Sequence, residues 1–116
     1  MSAAADAIRR LNYSIAGVHR VPAVPAPGRP LVTSISRASA GVTLAWRGST
    51  TAASYSVLRS TTGPLGPWHA VCNRCAGDNN TPWTDTSTPN RRLWYRVVGY
   101  TTQVRAGPSS AAVSIS

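Results

Sequence analysis

The sequence predicts an all-β chain: a seven-stranded antiparallel β-sandwich over residues 31–116, preceded by a short amphipathic helix (1–20) and a proline-rich linker (21–30). Three observations carry this. From Leu31 onward apolar residues recur at period two in short runs. Gly, Pro, Asn and Ser clusters separate those runs at short intervals. No stretch of helical period lies between them.

Near the start of the chain, Ala4, Ile8, Leu11 and Ile15 fall at helical spacing, with Ser2 placed to cap and Gly17 to stop the helix. Asp6 suits the positive end. So short a helix is marginal in water and needs a surface, on the following domain or on a neighbour. The segment Val21–Pro30, VPAVPAPGRP, has prolines at 22, 25, 27 and 30, which favours an extended, semi-rigid spacer and places the domain boundary there. The expected strands are Leu31–Ser36, Val42–Arg47, Ser54–Arg59, Trp68–Cys72, Pro82–Asp85, Leu93–Tyr100 and Ala111–Ile115. Alternation points Val42, Leu44 and Trp46, then Tyr55 and Val57, then Tyr95 and Val97, then Val113 and Ile115 into the core.

The chain has 116 residues, room for one domain with a modest core. Its net charge is +9, from twelve basic residues against three acidic ones, and every basic residue is Arg. The arginines fall about one in every ten residues with only two adjacent pairs, at 9–10 and 91–92. That even spread resembles a codon bias more than a nucleic-acid patch, so a nucleic-acid partner is not expected. No apolar run is long enough to span a bilayer, and charge follows where a secretory leader needs its apolar stretch. There is no G-x-S-x-G, and His19 and His69 have no nucleophile partner by motif. No Gly-rich phosphate loop is present, so no cofactor is expected.

VTLAW (42–46), ASYSVLRSTTGP (53–64), WTDTSTP (83–89) leading into LWYRVVGY (93–100), and the closing GPSSAAVSIS (107–116) together resemble a fibronectin type III domain, an immunoglobulin-like sandwich. The likeness spans Pro30 to Ser116, about three-quarters of the chain. It implies a corner tyrosine near the start of the sixth strand that bonds back to the preceding turn. Alternation puts Leu93 there, so packing alone is expected to hold that corner. SYSVLRSTTGPLGPW, the C-x-x-C at 72–75 and TPWTDTSTP also look like the C-terminal module of secreted bacterial glycoside hydrolases of family 5, mannanase- and cellulase-like. That narrower resemblance implies a secreted, extracellular, non-catalytic accessory or spacer module. Its partner would be a catalytic domain of the same polypeptide, with some polysaccharide contact, and residues 5–17 would be a remnant of that domain's last helix.

Glycoside hydrolysis needs two carboxylates flanking the scissile bond. The only acids are Asp6 on the helix, Asp78 in a Gly/Asn loop where an Asx-turn explains it, and Asp85, structural by the resemblance. The chain is therefore not expected to be an enzyme. Cys72 and Cys75 have three readings. With His69 and Asp78 they form H-x2-C-x2-C-x2-D, a possible zinc set. A redox C-x-x-C needs a helix N-terminus, which is not expected here. A structural disulfide closing the loop after the fourth strand is what a secreted parent favours.

The remaining signal is aromatic. With Tyr95 and Val97 inward, Trp94, Arg96, Val98 and Tyr100 line the outer face of one sheet beside Ser56 and Leu58, and Trp68 and Trp83 flank loops. Trp94, Arg96, Tyr100, Trp68 and Trp83 thus form a candidate face for a neighbouring domain or for stacked sugar rings. The competing expectation is a stand-alone binding module for polysaccharide or for an anionic polymer, drawn by the net charge.

Overall fold

The computed structural model describes residues 24–116. In chain order the strands are β1 (Leu31–Ala38), β2 (Gly41–Arg47), β3 (Ser54–Ser60), β4 (His69–Gly77), β5 (Trp83–Asp85), β6 (Leu93–Tyr100) and β7 (Val113–Ile115). They form a three-stranded sheet ordered β1-β2-β5 and a four-stranded sheet ordered β4-β3-β6-β7. Every pairing between these strands is antiparallel. No helix occurs among the described residues. The expected N-terminal helix lies outside them, as do residues 21–23 of the expected linker.

The two layers meet on the residues that alternation aims inward. Val42 and Leu44 of β2 face Tyr55 and Val57 of β3 and Leu93, Tyr95 and Val97 of β6, all fully buried. Each such side chain contributes about 1.5–3 kcal/mol over leaving it in water. Trp46 packs against the core from the rim, partly buried, with its ring edge-on to Tyr55 at 5.6 Å between centroids. Val113 and Ile115 are likewise partly buried against the core. Leu93, expected at the corner, belongs to the core centre because it shares its face with Tyr95.

The β1–β2 hairpin turns tightly at Ser39-Ala40, with Ala38 paired to Gly41. Gly41 has φ of +132°, and a side chain there would also run into the Asp85 backbone carbonyl of β5. Glycine is required on both counts.

Residues 24–30 are seated on the sandwich, so this part of the expected spacer is not free. Pro27 and Pro30 are buried. The Thr51 hydroxyl donates to the Pro25 carbonyl (2.8 Å), Arg29 donates to the Ser109 carbonyl (2.7 Å), and Val24 N–H donates to the Gln103 side chain (3.3 Å). Proline lacks an N–H, so the run leaves few backbone donors to satisfy as it lies along the domain.

Candidate functional site: the outer face of the four-stranded sheet

The acids come first, because catalysis would need them. Asp85 ends β5 and is 2 % exposed. Its Oδ2 accepts from Arg59 and from the Tyr95 hydroxyl, each at 2.7 Å. Its Oδ1 accepts from Ser87 N–H (3.1 Å) and the Ser87 hydroxyl (2.7 Å). Burial raises its carboxyl pKa, and the bonds from Ser87, Tyr95 and Arg59 outweigh that, leaving it below the ordinary value of 3.8. The expectation that packing alone holds this corner is therefore corrected. The tyrosine that bonds back is Tyr95, two positions after Leu93, and it reaches Asp85 because both side chains point inward.

Asp78 is also occupied. It accepts from the Tyr55 hydroxyl (2.9 Å), which in turn accepts from Ser49 N–H (3.0 Å). Burial first, and then the bond to Asp78, push the Tyr55 phenol above its usual pKa. Asp78 thus ties the loop after β4 to a core side chain. Asp78 and Asp85 are the acids of the described segment, and both accept hydrogen bonds that tie the fold, Asp85 buried and Asp78 exposed.

Cys72 and Cys75 are joined in a disulfide, with Cα atoms 5.4 Å apart. It lies within β4 and not in a loop after it, since the strand continues to Gly77. Pairing jumps from Tyr55↔Ala76 to Val57↔Cys72, so β4 carries two extra residues opposite Ser56, a bulge. Arg74, at the crest, has φ of 56° and donates its backbone N–H to Ser56 Oγ (2.8 Å). With both sulfurs bonded there is no thiolate to hold zinc or attack a substrate. Among the described residues no three His, Cys, Asp or Glu side chains converge on a metal site.

The aromatic face assembles in part as expected. Across β3 and β6, Ser60 pairs with Trp94, Leu58 with Arg96, Ser56 with Val98 and Ser54 with Tyr100. These residues alternate with inward Tyr55, Val57, Tyr95 and Val97, so they share the outer face. The Arg96 guanidinium stands 4.5 Å from the centroid of the Trp68 ring, which brings Trp68 into the same group. The Arg74 guanidinium lies 6.0 Å from the Tyr100 centroid. The centre is covered rather than open: Ser56 is 3 % and Val98 9 % exposed. Arg96 Nε is buried there with no hydrogen-bond partner among the described residues.

Trp83 does not join this face. It pairs with Leu44 on the other sheet and packs against the core, because residues 83 and 85 share a side of β5 and Asp85 points inward. Two contributors escaped the sequence. Arg74 enters the face only through the bulge. Arg59 carried a usable signal: it alternates with inward Tyr55 and Val57, and a cation on a core-facing position demands an acid.

No family model matches the chain, and no match is found among curated proteins. Solved structures do match. An Fn3-like protein from Clostridium thermocellum shares 22 % identity over 82 % of this chain and 94 % of its own, with a TM-score of 0.61. A beta-1,2-glucanase from Parabacteroides distasonis shares 18 % identity over 84 % of this chain, with a TM-score of 0.67, and this chain covers 14 % of it. The sixth fibronectin type III domain of human fibronectin type III domain containing protein 3 shares 17 % identity over 81 % of this chain and 88 % of its own, with a TM-score of 0.56. At these identities the likeness is one of fold: the sandwich is fibronectin type III-like.

Proposed function

We propose that this chain is a non-catalytic accessory module of a secreted carbohydrate-active enzyme, packing against or positioning a catalytic domain of the same polypeptide. Its outer face, Trp94, Arg96, Trp68 and Tyr100, makes the contact, with weak polysaccharide binding added through the aromatic rings. One observation carries this reading. The face gathers Trp94 and Tyr100 on one side of the sheet, with the Arg96 guanidinium over the Trp68 ring and that of Arg74 6.0 Å from the Tyr100 centroid. Supporting it, the same fold forms a small part of a glucanase chain. A disulfide suits an oxidising, extracellular setting.

The polyanion reading is weaker, because several arginines already donate to acceptors within the chain. Arg37 donates to the carbonyls of Pro89, Arg91 and Ser116, Arg29 to that of Ser109, and Arg92 to the Ser116 hydroxyl. The experiment is retention of the chain on insoluble mannan, cellulose and an immobilised polyanion across a salt series, with reducing-sugar release measured alongside. Weak retention on a neutral polysaccharide that survives salt, without sugar release, is the expected result. Retention only on the polyanion, lost as salt rises, contradicts the proposal, as does release of sugar.

A further inference from the structure

A second feature lies at the end of the sandwich, where the loop joining β3 to β4 folds back. There Arg59, Thr61, Pro67, Trp68 and His69 line a half-open cleft of about 380 Å³. That volume is at the small end of the range for ligand clefts, about 300–1,000 Å³. We infer that this cleft binds an acidic saccharide, its sugar ring set against Trp68 and Pro67 and its anionic group taken by Arg59 and His69.

The lining is held in place before any ligand arrives. Arg96 covers the Trp68 ring at 4.5 Å. Gly66 lies so close to the indole that a Cβ there would come within 2.9 Å of its Cδ1. Arg59 is anchored by one nitrogen, Nη1, to Asp85 and Ser87. Among the described residues its Nε and Nη2 donate to nothing, and Arg59 is one of the residues that line the cleft. His69 is exposed and pairs with Arg59 across β3 and β4, so both side chains stand on one side of the sheet. Ordering costs on binding are correspondingly small.

The chemistry of the lining selects charge. Arg59, His69 and Thr61 all offer donors, and no side-chain carboxylate lines the cleft to repel an anion, although the Thr61 hydroxyl and a neutral His69 can also accept. A carboxylate on a ring suits a guanidinium edge geometrically as well as by sign. The net charge of +9 raises the local concentration of anions around it. The cleft shares Trp68 with the proposed contact face but not Trp94, Arg96 or Tyr100, so variants at Arg59 and His69 test the cleft apart from that face.

The test is a titration of the 116-residue chain, followed by amide and indole N–H resonances, with a galacturonate trisaccharide, a mannose trisaccharide and sodium sulfate. The acidic trisaccharide should shift the signals of Trp68, His69 and Thr61. Trp68→Ala and His69→Gln should each weaken binding about tenfold, Trp68→Phe only a few-fold, and Leu31→Ala, at an exposed position outside both the cleft and the face, not at all. Should Trp68→Ala fail to fold, Trp68→Phe and His69→Gln still decide the matter. Equal response to the neutral trisaccharide, the same shifts with sulfate alone, loss of binding in Trp94→Ala but not His69→Gln, or no shifts at about 10 mM ligand would each overturn the inference.

Discussion

Asp85 takes four donors from three residues, and its removal should be felt throughout the corner. Asp85→Ala leaves the Arg59 cation and the Tyr95 hydroxyl without their acceptor, and chemical denaturation should show a loss of about 3–5 kcal/mol. Tyr95→Phe, which removes a single donor, should cost about 1–3 kcal/mol. The same residues set the pH limits. Asp85 titrates below its ordinary 3.8, so its contribution is complete above that value and lost as pH falls through the lower folded value. Tyr95 is pushed above its ordinary 10.0 by burial and then by Asp85, so its contribution is complete below 10.0 and lost as pH rises through the higher folded value. Melting temperature should be flat from about pH 5 to about pH 9 and fall on both sides. Asp85→Asn should flatten the acid limb. Tyr95→Phe should blunt the alkaline limb only in part, because Tyr55 is raised as well. Alternation alone showed which of these side chains point inward. It did not show that Tyr95, and not the position of Leu93, closes the corner, because hydroxyl reach is a three-dimensional matter.

At the scale of the element, β4 is where sequence and structure part most. Period-two reading stops at Cys72, since Asn73 and Arg74 break the alternation, yet the strand resumes and runs to Gly77. The disulfide spans that break and lets two residues rise out of the ladder without ending it. Its short ring contributes about 2 kcal/mol on the chain-entropy estimate. Reduction, or Cys72→Ser with Cys75→Ser, should therefore lower the melting temperature by roughly 10 °C for a domain of this size. Untreated protein should titrate with no free thiol. In the β1–β2 hairpin, Gly41→Ala should cost more than about 1 kcal/mol, because positive φ and the Asp85 carbonyl both oppose a side chain. The other strand positions were legible because half-buried sheets enforce the two-residue repeat. Trp83 was misplaced because a strand as short as β5 offers no pattern from which to read its face.

For the molecule as a whole, two layers and their inward residues were readable from the sequence, and so was the grouping of Trp94, Arg96 and Tyr100 on one outer face. The cover over that face was not readable, because it comes from a bulge and from arginine side chains lying across neighbouring strands. A face kept for contact and one kept for stability differ in what its loss does. The decisive measurement is a comparison of the chain with its Trp94→Ala, Arg96→Ala double variant, scoring salt-resistant retention on insoluble polysaccharide against melting temperature. The face is predicted to serve contact: retention should fall at least about tenfold while the melting temperature moves by only a few degrees. Unchanged retention together with a collapse in melting temperature would show that these side chains merely hold the sandwich together.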